Sequence, residues 1–145
     1  DVCSSDLFHE AKTVKEMLKG FLLLKQLNPG LKKEKLTLLL KAMKKNGYRM
    51  FFALEKNKIV GLTGYWLNTK IYSGSYLEID NLVVDAKHRN KGIGKKLCDH
   101  AVSFAKENQC ETIMLDAYAE NNAAHRFYYH EGFFVRGFHF LKYLK

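Results

Sequence analysis

The sequence predicts a single mixed α/β domain. Three observations carry that expectation. Apolar residues recur at helical spacing over the first third of the chain, the period becomes that of strands from Tyr48, and a strand, a helix and a second strand then follow in succession from Tyr76. Such a succession implies a parallel strand pair with a right-handed crossover, whereas the hairpin before it is antiparallel. At 145 residues, with 47% apolar and 27% charged content, the chain is long enough to bury one core and does not have the composition of a disordered segment.

The elements follow in order. Residues 8–12 suit a short first strand. Thr13-Val-Lys-Glu16 has the spacing of a capping box, and Val14, Met17, Leu18 and Phe21 form one apolar face of a helix expected to run to Leu27, where Asn28-Pro29-Gly30 stops it. Leu36, Leu39, Leu40 and Met43 predict a second helix over about residues 32–45. Tyr48–Glu55 and Ile59–Leu67, separated by Lys56-Asn57-Lys58, read as an antiparallel hairpin, and Gly61 and Gly64 within it hint at a bulge or a close backbone approach. A loop over residues 68–74 leads to a strand through Val84. Ile93, Leu97, Ala101, Phe104 and Ala105 line a third helix ending near Asn108, Thr112–Leu115 forms a strand, and Asn121–Glu131 a fourth helix closed by Gly132. Phe133–Arg136 and Phe138–Leu144 are expected as two final strands.

Composition narrows the class. No run of 18 apolar residues is present, so no membrane span is predicted and a soluble protein is expected. Cys3, Cys98 and Cys110 have neither metal-ligand spacing nor an even disulfide framework, which suits a reducing cytoplasm. Residues 1–7 lack an initiator Met, and their reverse translation can match the end of a common sequencing-library adapter. They are expected to be a non-native leader to a domain over residues 8–145. The net charge of +9, from 24 basic and 15 acidic residues, favours anionic partners without choosing among nucleic acid, acidic protein and a polyphosphate cofactor.

Tyr76 to Leu97 carries the strongest functional signal. An apolar strand bearing Glu78 and Asp80 leads into the turn Arg89-Asn-Lys-Gly92-Ile-Gly94, which opens into a helix. The glycines let backbone approach a ligand, the first amides of a helix lack internal acceptors, and Arg89, Lys91, Lys95 and Lys96 add positive charge, so the turn suits phosphate. A Walker A loop is excluded, because Arg89 stands five before Gly94 and Lys96 replaces the hydroxyl residue. A dinucleotide site fits poorly, since Leu97 replaces the third glycine, although Asp116 lies near the place of a ribose-binding acid.

Arg89-x-x-Gly92-x-Gly94 closely resembles motif A of the GNAT superfamily of N-acetyltransferases, and Asn121-x-x-Ala124-x-x-x-Tyr128-x-x-x-Gly132-Phe133 resembles its motif B, one strand later as the family requires. The resemblance implies a GNAT-like mixed, mostly antiparallel sheet with a parallel central strand pair, flanked by about four helices. It implies acetyl-CoA as co-substrate, held by the backbone of Leu82, Val83 and Val84, by Arg89, Asn90, Lys91, Gly92, Ile93, Gly94 and Lys95, and by Asn121. The implied reaction is direct attack of a primary amine in a ternary complex, with Glu78 or Asp80 as base and Tyr128 as acid to the departing thiolate.

Each residue also has a plainer reading. Lys95 and Lys96 suit a solvated first helical turn, Asn121 an N-cap, and the carboxylates a surface ion pair or an anchor for a substrate amine. Tyr129, one residue from Tyr128, points about 100° away and should be packing or surface. Cys98 and Cys110 have no base placed with them and read as small core residues. His125 and His130 diverge on a helix, so no metal site is expected. The acceptor is expected to be a small-molecule or peptide amine, with no nucleic acid or membrane partner. The rival readings are a basic nucleic-acid-binding module and a non-catalytic CoA-binding sensor domain.

Overall fold

The computed structural model describes residues 7–145; apart from Leu7, the expected leader lies outside the described residues. Five strands, β1 (Phe8–Ala11), β2 (Arg49–Glu55), β3 (Lys58–Lys70), β4 (Gly74–Val84) and β5 (Thr112–Leu115), form one sheet in chain order. The first four are antiparallel neighbours and β5 lies parallel to β4, as the crossover pattern requires. Both members of the parallel pair begin at the same end: the Glu111 amide donates to the Ser75 carbonyl at 2.8 Å and Thr112 Oγ1 to the Ser73 carbonyl at 2.8 Å. The chain divides into two compact units between Met114 and Leu115. No helix among the described residues is long and apolar enough to cross a membrane.

The helices are α1 (Val14–Met17), α2 (Phe21–Leu27), α3 (Lys33–Lys45), α4 (Ile93–Glu107) and α5 (Asn122–His130). The single first helix expected from periodicity is interrupted by a 3₁₀ turn over Leu18–Gly20. A Cβ on Gly20 would come within 2.7 Å of Leu62 Cδ2 and 3.1 Å of Phe52 Cε1, so this turn lies close against the sheet. Half of the capping box forms: Thr13 Oγ1 accepts from the Glu16 amide at 3.1 Å, while the Glu16 carboxylate turns to His9 Nε2 at 3.0 Å.

Strand β3 runs three residues past its expected end, into the segment read as loop. The hairpin turn places both Lys56 and Asn57 at positive φ, a geometry whose twist matches that of the flanking strands. The two final strands do not form. Residues 133–145 have no regular structure, and Phe134, Val135, Phe138 and Phe140 are largely exposed. Alternating apolar residues make a strand only where an edge supplies ladder partners.

Two apolar layers hold the sheet. On one face Met17, Leu24, Leu36 and Leu40 pack with Tyr48, Met50, Phe52, Leu62 and Val83. On the other, Ile93 and Leu97 of α4 meet Ala53 and Val60, with Leu82 and Val84 against them. Further along this second face the rings of Phe51, Tyr65, His100 and Phe104 cluster, and Tyr65 Oη lies 2.8 Å from His100 Nδ1. Together these layers fix the end of β4 and the start of α4.

Candidate active site

The glycine turn begins where β4 stops. The Asp85 amide donates to the Val60 carbonyl at 2.8 Å, and a 3₁₀ turn over Ala86–His88 reverses the chain. His88 Nδ1 lies 2.9 Å from Asp85 Oδ2, and that contact holds the Asp85 carboxyl below the usual carboxylate range. Arg89 is extended and exposed, with Nη2 donating to Gln26 Oε1 at 3.4 Å. Asn90 takes φ +65° and Gly92 φ +79°, so the backbone curls immediately before α4.

The residues of this turn fit a phosphate-bearing cofactor. A Cβ placed on Gly92 would meet nothing within 4 Å, and no side chain caps α4 there. The Lys96 amide donates to the Gly92 carbonyl at 3.1 Å, and Ile93 and Gly94 open the helix ahead of it, where amides point out of the helix end. Lys91, Lys95 and Lys96 are exposed around this positive end, while buried Ile93 and Leu97 anchor the helix below. Lys95 also makes the plain i,i+4 contact, with Nζ 3.5 Å from Asp99 Oδ1.

Leu82, Val83 and Val84 pair with Thr63, Leu62 and Gly61 of β3. Strand β5 has only four residues and begins beside Ser75, so at about 3.3 Å per residue it stops well short of Leu82. That leaves the far side of this segment as a strand edge with respect to β5.

A register shift in β4 organises the carboxylates. Gly64 pairs with Asn81 but Tyr65 with Ile79, leaving Asp80 as the extra residue of a bulge. Asp80 is exposed, and Trp66 Nε1 donates to its Oδ2 at 2.8 Å. Half-buried Glu78 stands opposite Trp66 in the ladder, so both carboxylates belong to the sheet face covered by α1–α3 despite the bulge. Beside them Tyr48 Oη donates to Asn81 Oδ1 at 2.7 Å, and the Tyr48 and Trp66 rings lie 5.3 Å apart. Burial, with a smaller contribution from the Asp80 charge, pushes the Tyr48 phenol far above its ordinary value.

The second unit, residues 115–145, carries the remaining positions. Asn121 N-caps α5, its Oδ1 accepting from the Ala124 amide at 3.1 Å. Tyr128 is half-buried, in edge contact with Phe127 at 5.2 Å and Phe133 at 5.7 Å between ring centroids, and its carbonyl accepts from the Phe133 amide. Tyr129 is exposed, as its offset from Tyr128 predicts. His125 Nε2 lies 2.8 Å from the Tyr118 carbonyl, and Asp116 Oδ2 lies 3.1 Å from His139 Nδ1. Among the described residues no group of three or more His, Cys, Asp or Glu could hold a metal ion. Cys98 is buried, and burial pushes the Cys110 thiol up, so neither has the environment of an activated nucleophile.

Sequence reasoning did not single out Tyr48, Trp66, Asn81 or Gln26. Gly64 was the available signal. A Cβ there would fall 1.8 Å from Tyr48 Oη, so the glycine admits the phenol that reaches Asn81.

A mixed five-stranded sheet with a glycine turn between β4 and the next helix is found here, and the fold is shared with acetyltransferases of known structure. One is an aminoglycoside acetyltransferase from an uncultured soil metagenomic sample, solved with trehalose. It superposes with a TM-score of 0.76 at 25% identity, covering 97% of this chain and 98% of that one. An aminoglycoside N-acetyltransferase in complex with CoA shares the fold with a TM-score of 0.77 at 17% identity, covering 95% and 93%. In sequence, the uncharacterized N-acetyltransferase YhdJ of Bacillus subtilis strain 168 is 33% identical over 101 residues, 69% of this chain and 71% of its own. The model of the Acetyltransferase (GNAT) family matches residues 16–133, and the chain belongs to that family. It is an N-acetyltransferase.

Proposed function

We propose that the chain transfers the acetyl group of acetyl-CoA to a primary amine by direct attack within a ternary complex. The observation that carries this reading is the cradle over residues 89–95, where Gly92 at φ +79° leaves open space at an uncapped helix N-terminus in a chain of this family. Amides of Ile93 and Gly94 would take a pyrophosphate, with Arg89 as a planar clamp, Asn90, Lys91 and Lys95 bordering it and Asn121 as a further contact. The edge of Leu82–Val84 would pair with an extended amide-bearing arm as though with an added strand.

Bound acetyl-CoA supplies an activated acetyl thioester and leaves as a thiol. A lysine-like amine has a reference pKa of about 10.4, so on the order of one molecule in a few thousand is neutral at pH 7. Asp80 or Glu78 would take the proton that must leave, directly or through water. The amine nitrogen then gains the acetyl carbon as the carbon–sulfur bond breaks, and Tyr128 would give its phenolic proton to the sulfur. The nitrogen, cationic once the new bond forms, loses its second proton to solvent; solvent also restores the phenol and receives the proton from the carboxylate, so the net release is one proton for each ammonium acetylated.

The acceptor is read as a small-molecule amine, in keeping with the names of the structural relatives, with an amino-terminal peptide as the other class. Thiol release from acetyl-CoA in the presence of polyamines, aminoglycosides, amino acids and peptides tests the proposal. Amine-dependent release with at least one class is expected, and saturable CoA binding without turnover on any of them would instead mark a sensor domain.

A further inference from the structure

The β4 bulge sets the two carboxylates apart: Glu78 is paired in the ladder and Asp80 is not. We infer that Asp80 is the proton acceptor and that Trp66 is a positioning residue that holds its carboxylate in place, an inference that rests on the acetyltransferase reading above.

The extra residue of the bulge is Asp80 itself, so its backbone is released from the regular ladder while Ile79 and Asn81 stay paired. Such a residue needs side-chain contacts to fix its direction, and it has a short one: the Trp66 indole donates at 2.8 Å to Oδ2, leaving Oδ1 for an acceptor amine. The donor is itself held. Trp66 packs against the core of the α1–α3 face and lies 5.3 Å from the Tyr48 ring, and Tyr48 in turn donates to Asn81, the neighbour of Asp80. Tyr48 is 2% exposed and reaches Asn81 only because position 64 is glycine. A buried phenol, a glycine and an indole thus clamp two consecutive residues of one bulge. A hydrogen bond of this kind to a charged group accounts for roughly tenfold in rate when only its geometry is lost.

Trp66 is the only tryptophan in the chain, so its emission reports the contact directly. Asp80→Ala should change the emission maximum or yield of the folded protein, and an unchanged spectrum would overturn the contact. Kinetics use acetyl-CoA and the panel amine that the wild-type chain acetylates fastest. Trp66→Phe keeps the ring contact but removes the N–H; kcat should fall about tenfold with KM for acetyl-CoA within twofold, and Trp66→His, which restores a ring N–H, should recover part of the loss. Wild-type kcat in Trp66→Phe with an inactive Asp80→Asn overturns the role of Trp66 alone. Wild-type kcat in Asp80→Asn removes Asp80 as the base and this inference with it, while leaving acetyl transfer itself intact.

Discussion

Gly64→Ala offers a test in which two effects of opposite sign compete. In a strand interior, replacing glycine by alanine ordinarily stabilises by about 0.5–1 kcal/mol, because glycine loses more freedom on folding. Here the new methyl would stand 1.8 Å from Tyr48 Oη and 2.4 Å from Cζ, both far inside van der Waals contact. Tyr48 is buried in the α1–α3 core and cannot swing into solvent, so it or the strand must shift. Overpacking of this type costs about 1–3 kcal/mol. Displacing the phenol also loses its bond to Asn81, a further ~1 kcal/mol. The net expectation is a loss of about 2 kcal/mol, or roughly 4–8 °C in Tm for a chain of this size. Removing the hydroxyl alone should not rescue the variant, since Cζ still collides. Thermal and urea melts of Gly64→Ala, alone and with Tyr48→Phe, measure both points. A midpoint at or above that of the wild type would refute the reasoning, because it would mean that Tyr48 does not occupy the space beside Gly64.

Tyr128→Phe should lower kcat by at least tenfold while KM for acetyl-CoA stays within twofold, read by thiol release; unchanged kcat would remove the phenol from the mechanism. Alkaline stability gives a prediction whose sign follows from burial. The Tyr48 and Tyr65 phenols are pushed well above the ordinary value of about 10, so the folded state keeps protons that the unfolded chain loses. Their contribution is complete below that value and falls away as pH rises past it. Urea midpoints should therefore drop from pH 9 to 11, and Tyr48→Phe should flatten the drop; an equal slope in the variant would contradict the assignment. Asp85, held low by His88, acts in the opposite direction, contributing above the ordinary carboxylate range and losing that contribution as acid protonates it. His88→Ala should raise the Asp85 pKa toward its ordinary value, as measured by carboxyl NMR titration.

What the sequence made legible was local. The turn at Arg89–Gly94 announced itself because glycines, basic residues and a helix start fall within six positions, and α3, α4, α5 and β5 followed from period and caps. What it hid depends on partners far away in the chain. The break at Leu18–Gly20 sits against Leu62, and the bulge residue Asp80 and its neighbour Asn81 bond to Trp66 and Tyr48, distant in the chain. Alternation over Phe133–Leu144 looked like two strands because it reports side-chain pattern and says nothing of an available edge. Of the candidate site, the residue types and their order stand in the sequence, but the β4 register that distinguishes Glu78 from Asp80 is one that no single sequence displays.

Acetyl transfer as proposed depends first on the turn between β4 and α4 binding the phosphates of CoA through backbone amides. Gly92 is the position to test, because its φ of +79° and the empty space around a Cβ belong to the cradle rather than to the core. Titration calorimetry of CoA into the wild-type chain and into Gly92→Glu, with folding checked by thermal melts, measures it. Saturable binding is expected in the wild type and its loss where a carboxylate occupies the place of phosphate; near-normal affinity in the folded variant would mean that the turn does not hold the phosphates.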